Sequence, residues 1–208
     1  MRFAVFGATG GTGRELVRQA LERGDEVTAL ARDPAALPAT DRLRVVAGDA
    51  TRDAQAVAQV IERADVVVSA LGRRNSFRSE DLMVRSLRLI TAAMAGASVR
   101  RLILVSAFGV GDTHRDAPLV PRIMYRLLLG SIFADKAAAE AELRAGALDW
   151  TIVRPVLLTN GPRTGKYRVG ERLDLHGVPK ISRADVADFI LTEASRPAYV
   201  RKSAAISD

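Results

Sequence analysis

The sequence predicts an α/β fold, in which one parallel β-sheet is doubly wound and carries helices on both faces. Short apolar, β-branched segments alternate with segments whose apolar residues recur at helical spacing. This alternation is typical of right-handed βαβ units. The apolar segments are also continuous, without regularly interspersed polar residues, which indicates strands that are buried on both faces.

The alternating region contains six predicted strands and four predicted helices. The strands are expected at residues 3–6, 27–31, 43–47, 66–70, 102–106 and 151–156. The helices are expected at residues 14–23, 54–63, 80–95 and 121–145.

The pattern changes after the sixth strand. Residues 166–169 and 172–175 are interpreted as a hairpin. Ser182 stands three residues before Asp185, a spacing that predicts a capped helix start, and a short last strand is expected at 204–206. We therefore predict one domain over residues 1–208, with small substrate-side elements at about 157–181.

Composition excludes several classes of function. The chain of 208 residues has no cysteine and only two histidines, so disulfides and thiolate chemistry are excluded and a metal site is not expected. No apolar run approaches the ~20 residues of a membrane helix, and the first strand leaves no room for a signal peptide. We expect a cytoplasmic protein.

The net charge of +7 allows either a nucleic acid or a small anion as ligand. The arginines are spread along the chain without a basic block or interleaved aromatic residues, so nucleic acid is not expected. An anionic cofactor is the better candidate.

The segment GATGGTGR, residues 7–14, lies between the first strand and the first helix. Glycine permits positive φ and a close approach of backbone N–H groups to an anion, and the helix N-terminus adds partial positive charge. This context predicts a Rossmann-type fold that holds a dinucleotide diphosphate, whereas a tight turn without ligand is the alternative. The expected contacts are Gly7, Thr9, Gly10, Gly11 and Thr12.

The end of the second strand is expected to select the cofactor. It carries Arg32, which would accept a 2′-phosphate, where an acidic residue would bind a free ribose hydroxyl. Asp33 precedes Pro34 and is interpreted as the cap of a short helix over 34–37. NADPH is therefore the expected cofactor, unless Arg32 is only a solvated surface residue.

Two further strand ends are expected to complete the cofactor site, because ligands of such sheets bind beyond the carboxyl ends of the strands. In the segment AGDAT, Asp49 is expected to bond the adenine amino group, next to Ala50. In the segment SALGRRN, Leu71 and Gly72 are expected to pass close to the ribose and diphosphate, with Arg73 or Arg74 near phosphate.

Taken in order, the segments GATGGTG, ALARDP, GDAT, SALGRRN, LVSAFG, ADKAAAEAELRAGALDWTIVRP, LTNGP and ISRADVADFIL cover nearly the whole chain. They resemble atypical short-chain dehydrogenases, in particular the NAD(P)H-binding, NmrA-like branch and the flavin reductase (biliverdin-IXβ reductase) group. The resemblance implies NADP(H) as cofactor and a small-molecule acceptor.

The chain departs from most short-chain dehydrogenases, which use Ser, Tyr and Lys. Ser106 and Lys136 match the serine and the lysine, but Ile132 stands where the tyrosine is expected. Isoleucine cannot protonate an alkoxide. Tyr125 lies eleven residues before Lys136, about three helical turns away, which is too far to replace it on an unbroken helix.

The flavin reductase group also lacks this tyrosine, and the resemblance implies hydride transfer to a flavin or similar conjugated acceptor. In that interpretation Ser106 bonds the acceptor or the carboxamide, and Lys136 bonds the nicotinamide ribose or the diphosphate. Pro155 and Val156 form the wall behind the nicotinamide. The alternatives are a capped strand end for Ser106 and an exposed helix lysine paired with Glu140 for Lys136.

The acceptor pocket is expected from residues 108–125 and from the loop after Pro155. The turn-rich segment FGVGDTHRDAPLVP is typical of a lid. His114 within it is interpreted as a solvated residue rather than as a catalytic acid. The apolar segment 123–129 lines the pocket or contacts a second subunit, so a monomer and a homodimer both remain open.

Two other functions remain open at this point. The chain could be a redox sensor that binds NADP(H) without chemistry, as NmrA-like proteins imply, or a tailoring enzyme or epimerase that uses bound NADP. Binding without turnover would indicate the sensor. Steady oxidation of the nicotinamide by an added acceptor would argue against the epimerase.

Replacing Arg32 with Ala should weaken NADPH binding by ~10- to 100-fold, the range of a hydrogen bond to a charged group. NADH binding should change little, because NADH lacks the 2′-phosphate. Titration calorimetry with both cofactors measures the difference, and equal weakening of both would contradict the role of Arg32.

Overall fold

The main sheet contains eight strands in the order β3-β2-β1-β4-β5-β6-β10-β8 in a computed structural model. The structure describes residues 1–38, 40–72, 81–110 and 119–208, with the backbone alone over 119–129. Every neighbouring pair is parallel except β10 and β8, which are antiparallel. The strands of this sheet are β1 (Arg2–Phe6), β2 (Glu26–Ala31), β3 (Leu43–Ala47), β4 (Val66–Ser69), β5 (Arg101–Val105), β6 (Asp149–Pro155), β8 (Arg168–Gly170) and β10 (Lys202–Ser207).

Helices cover both faces of this sheet. Phe3 and Val5 of β1 belong to a core cluster on the side of α1 and α5, whereas Ala4 and Phe6 belong to a cluster with α2, α3 and α4. Adjacent residues of one strand therefore face opposite layers, which confirms the predicted doubly wound sheet. The helices are α1 (Gly11–Glu22), α2 (Ala54–Ile61), α3 (Leu82–Gly96), α4 (Leu119–Ala145) and α5 (Arg183–Ser195).

Several predicted local signals are confirmed. The side chain of Ser182 accepts a hydrogen bond from the amide of Asp185 at 2.9 Å and caps α5. Asp33 accepts from the amide of Ala35 at 3.1 Å and caps a 3₁₀ turn over Pro34–Ala36. No described helix is long and apolar enough to cross a membrane.

The predicted hairpin is wrong. Residues 168–170 form β8, but β8 pairs with residues 205–207 of β10 and not with residues 172–175, which form no strand. The exposed edge of β10 offers backbone partners that a local pattern does not reveal. The sequence analysis also missed a small parallel pair, β7 (Leu157–Thr159) with β9 (Lys180–Ser182).

A buried carboxylate ties the C-terminal segment to the sheet. The carboxylate of Glu193, in α5, lies 2.8 Å from the guanidinium of Arg101 and also accepts from Thr151 Oγ1 at 3.1 Å. The amides of Ala198 and Tyr199 donate to it at 2.9 Å each. Glu193 is only 2% exposed, so these four donors replace its hydration.

Glu193→Ala should therefore destabilise the fold by ~3–5 kcal/mol, because it leaves the guanidinium of Arg101 buried without its partner. Urea unfolding followed by circular dichroism measures the loss. Glu62→Ala is the matched control on an exposed helix end, where a change within about 0.5 kcal/mol is expected. Equal unfolding midpoints for the two variants would contradict the role of this network.

Candidate functional site

A cleft of about 850 Å³ opens at the carboxyl ends of β1, β2, β3 and β4. Residues of the segment GATGGTGR (7–14), which we call the glycine loop, line one side of it. The segments after β3 and β4 line the other sides. Its volume lies within the usual range for small-molecule and cofactor sites. The lining includes eight of the residues predicted from the sequence: Gly7, Thr9, Gly10, Arg32, Asp49, Ala50, Leu71 and Gly72.

The N-terminus of α1 faces this loop without a capping side chain. The cap residue is Gly10, and the first turn of the helix contains no acidic residue. The first amides of a helix have no partner within the helix. In α5 and α2 the corresponding ends are capped by Ser182 and Asp53. The end of α1 is therefore free to receive an anion, which fits a dinucleotide diphosphate.

Glycine is required at two positions of this loop. Gly7 has a φ of +84°, and a Cβ there would lie 2.5 Å from the carbonyl oxygen of Ala70. A Cβ on Gly13 would lie 2.1 Å from the carbonyl oxygen of Gly7. The loop is thus packed tightly between β4 and the first turn of α1, and its residues Gly7, Thr9 and Gly10 line the cleft.

Gly11 and Thr12 do not line the cleft, although both were predicted to contact the diphosphate. Gly11 is exposed and lies beside the side chain of Arg183, whereas Thr12 is buried with 8% of its surface exposed. Their backbone amides still belong to the uncapped first turn of α1. The predicted contact with the diphosphate is therefore restricted to these amides. A contact with the buried Thr12 hydroxyl is not expected.

The cleft is strongly basic. Arg14, Arg32, Arg52 and Arg85 line it, and Asp49 is the acidic residue among its described lining. The Nε of Arg14 donates to the carbonyl of Thr9 at 3.0 Å, which fixes this arginine beside the glycine loop. Such a surface attracts a ligand with several phosphates.

Asp49 is held by its own turn. Its Oδ1 accepts from the amide of Thr51 at 2.9 Å and from the Thr51 hydroxyl at 2.7 Å, and Oδ2 lies 3.3 Å from Arg52. These hydrogen bonds, with the charges of Arg52 and Arg32, hold the pKa of Asp49 below its usual value. The predicted contact with the adenine amino group remains a prediction that a fixed, ionised carboxylate suits.

A second group of predicted residues lies at the ends of β5 and β6, beyond the neighbouring strand β4. The amide of Ser106 donates to the carbonyl of Val153 at 2.7 Å, and the amide of Phe108 donates to the carbonyl of Pro155 at 2.9 Å. The amide of Val156 donates to Ile206 at 3.3 Å. Pro155 and Val156 therefore use these backbone groups within the protein, and both residues are buried.

The hydroxyl of Ser106 is buried, with the residue 5% exposed, and has no hydrogen-bond partner in the part of the chain that the structure describes. A capped strand end, the alternative interpretation, would have engaged this hydroxyl with the backbone. A buried hydroxyl without a partner is costly in a folded protein. The expected contact of this hydroxyl with the acceptor or the carboxamide remains a prediction.

Lys136 is half-buried on α4. Burial lowers its pKa from 10.5 to about 8, against the opposing effect of the charges of Glu140 and Asp135. Glu140 is itself buried and paired with Arg154 of β6 at 2.5 Å. The alternative of an exposed lysine paired with Glu140 is therefore not supported.

α4 is anchored at this end of the sheet by two carboxylates. Asp135 accepts from the amides of Met83 and Val84 at 2.9 and 3.1 Å and so caps α3. Glu140 binds Arg154, which is adjacent to the residue that accepts from the Ser106 amide. The helix runs back from the carboxyl edge, so Lys136, one turn before Glu140, lies nearer to that edge.

Some predicted residues cannot be placed. Arg73, Arg74 and His114 lie outside the described residues, as does most of the predicted lid. Tyr125 lies on α4, where the backbone alone is described; the helix is continuous from Leu119 to Ala145, which confirms its separation of three turns from Lys136. No cluster that could hold a metal ion occurs in the described part of the chain.

The sequence analysis missed three arginines of the cleft. Arg14 is the last residue of GATGGTGR and Arg52 directly follows AGDAT, so position next to a predicted cofactor segment was an available signal. Arg85 lies on the first turn of α3, after a stretch without recognisable pattern. Its position at the cleft depends on how α3 packs, which no local signal reveals.

Comparison with known proteins supports a nucleotide site. A family model described as NAD(P)H-binding matches residues 7–197. Reductase pytE of Aspergillus terreus is 31% identical, with 90% of this chain and 89% of pytE covered. YwnB of Bacillus subtilis is 27% identical, with 96% and 94% covered.

Among solved structures, ChuY of Escherichia coli O157:H7, an anaerobillin reductase, aligns with a TM-score of 0.81. It is 28% identical, and the alignment covers 99% of this chain and 96% of that chain. The likeness therefore extends over the cleft, the ends of β5 and β6 and the C-terminal elements alike.

Proposed function

The chain belongs to the NAD(P)H-binding family, and from this premise we propose that it is an NADPH-dependent reductase of a flavin or similar conjugated acceptor. Two observations carry the proposal: the buried Ser106 hydroxyl after β5 has no described partner, and Ile132 on α4 stands where a proton-donating tyrosine is expected. In this proposal Ser106 and Lys136 keep their roles in binding, but the tyrosine that would act as general acid is missing.

The proposed binding of NADPH rests on the arginine-lined cleft. The diphosphate would be held by the glycine-loop amides at the N-terminus of α1, and Arg32 with Arg52 would face the 2′-phosphate. Arg14 and Arg85 add positive charge on the other sides of the cleft. The preference for NADPH over NADH follows from this charge.

The order of the strands supports the direction in which the cofactor would lie along the carboxyl edge of the sheet. The cleft spans the ends of β3, β2, β1 and β4, and β5 and β6 are the next strands in the sheet. A dinucleotide laid along this edge, with its phosphates at α1, would bring its nicotinamide to Ser106 and Val156.

In this proposal the protein catalyses the reaction by orienting the nicotinamide and the acceptor relative to each other. When bound, the nicotinamide supplies a hydride, which the acceptor takes up at an electrophilic conjugated nitrogen or carbon while water supplies the proton. Ser106 would donate its unpartnered hydroxyl to the acceptor or the carboxamide. Lys136 would hold the ribose or the diphosphate with its ammonium group, so that the reacting atoms stay in register.

The relatives support a reductase more than a sensor. Both pytE and ChuY are described as reductases, and each is matched over most of its length. The redox sensor nevertheless accounts equally well for the missing tyrosine, so the experiment must separate binding from turnover.

Anaerobic mixing with NADPH and FMN, followed by flavin bleaching, tests the proposal. Fast bleaching with NADPH and slow bleaching with NADH are expected. Ser106→Ala is the matched variant, in which bleaching should slow by ~10-fold or more because a positioned donor is lost. Tight NADPH binding in calorimetry without bleaching of FMN or of a linear tetrapyrrole would instead indicate the sensor.

The pKa of Lys136 predicts a pH dependence. Because burial lowers this pKa to about 8, the free enzyme carries a charged amine below pH 8 and a neutral amine above it. The kcat/KM for NADPH should therefore fall as the pH rises through about 8, since kcat/KM reports groups of the free enzyme.

Lys136→Arg should remove this decline, because a guanidinium stays charged throughout the range. Lys166→Arg, in an exposed loop, is the matched control and should keep it. A decline at the same pH in Lys136→Arg would show that another group titrates.

A further inference from the structure

The side chain of Arg183 lies across the first residue of α1. A Cβ on Gly11 would fall 2.6 Å from Cδ and 2.7 Å from Nε of Arg183. Arg183 is also the first residue of α5. One guanidinium stem thus rests on the glycine loop that faces the cofactor cleft, although it belongs to an element far along the chain.

The position is electrostatically unfavourable for a cation. The N-termini of α1 and α5 both carry partial positive charge, which favours anions and disfavours arginine. Arg183 donates to Asn160 Oδ1 at 2.7 Å and, more weakly, to the carbonyl of Leu158 at 3.5 Å. Both acceptors are neutral, and within the described residues no carboxylate forms an ion pair with Arg183. A local conflict of this kind is typical of functional positions.

The partner Asn160 begins the segment 160–167, which we call the acceptor-side loop. Asp185, in the first turn of α5, accepts from the amides of Thr164 and Gly165 at 2.7 and 2.9 Å. Tyr167 closes the loop by donating to Asp188 at 2.9 Å. The conformation of this loop therefore follows the N-terminal turns of α5.

α5 is in turn locked to α1. Gln19 of α1 donates to the carbonyl of Ala184 at 2.8 Å, and Arg23 lies 3.1 Å from Asp188. The N-terminal turns of α5 therefore lie beside the second half of α1. Arg183 is the residue that connects the glycine loop of one with the acceptor-side loop of the other.

We propose that Arg183 is a positioning residue that couples cofactor binding at the glycine loop to the order of the acceptor-side loop. A diphosphate at the N-terminus of α1 supplies the negative charge that this cation lacks, so the bound cofactor stabilises the placement of Arg183 and its hold on Asn160. This inference deepens the proposed function and rests on it in one respect, that the acceptor is bound on this side.

The coupling is reciprocal, because two states linked by one side chain must influence each other equally. Cofactor binding should slow opening of the loop, and loss of Arg183 should weaken cofactor binding. We expect Arg183→Met to weaken NADPH by about fivefold, the lower end of typical coupling between sites.

Amide hydrogen exchange of the protein with and without saturating NADPH tests the coupling without any acceptor. In the unmutated protein NADPH should slow exchange at Thr164 and Gly165. In Arg183→Met this slowing should disappear although calorimetry shows the cofactor bound. Arg196→Met, at the exposed opposite end of α5, is the matched control and should retain it.

Asn160→Ala is the second variant, since it removes the other end of the connection at an exposed residue and leaves the core intact. It should also abolish the slowing. Equal slowing in Arg183→Met, Asn160→Ala and the unmutated protein would overturn the coupling. Failure of the proposed reductase is distinguishable, because a protein that binds NADPH without reducing flavin would still show the loop effect.

Discussion

The structure depends on one helix end that the protein leaves unsatisfied. The N-terminus of α1 has no capping side chain and no acidic residue in its first turn, whereas α2 and α5 are capped by Asp53 and Ser182. Unpaired amides at a helix end are an anion site. The steric requirements at Gly7 and Gly13 serve this end, because they let the loop fold tightly under it without side chains in the way.

The charge of the protein is organised around the same helix end. The protein has a net charge of +7, and positive charge is concentrated at the cleft. Four arginines and one described carboxylate line it. Arg183 adds a further cation behind the loop, where helix dipoles disfavour it. In the proposed coupling, a bound diphosphate offsets this repulsion.

The sequence predicted what local pattern determines. Continuous apolar runs located the six parallel strands β1 to β6 to within one or two residues. Ser182 and Asp33 were recognised as caps because capping acts over two or three residues. It failed where long-range pairing decides: residues 168–170 joined the edge of β10, and two three-residue strands formed a separate pair. Such short strands have no periodicity to detect.

The residues of the site likewise separate into those that a local pattern revealed and those placed by long-range packing. Residues one or two positions after a strand, such as Arg32 and Asp49, were found at the cleft. Arg85 and Arg183 were assigned no role, because their positions depend on the packing of α3 and α5 against distant segments. Likewise, the sequence marked Ser106 as a strand-end serine but could not reveal that its hydroxyl is buried without a described partner.

In the proposed function, the protein reduces its acceptor by holding the nicotinamide in one orientation, without a tyrosine acid. The most direct test is turnover with NADPH deuterated at C4 on one face or the other, followed by mass analysis of the NADP⁺ formed. The account predicts that deuterium is lost completely from one label, with a slowed rate, and retained completely from the other. Loss from both labels, or no oxidation of either by any conjugated acceptor, would contradict it.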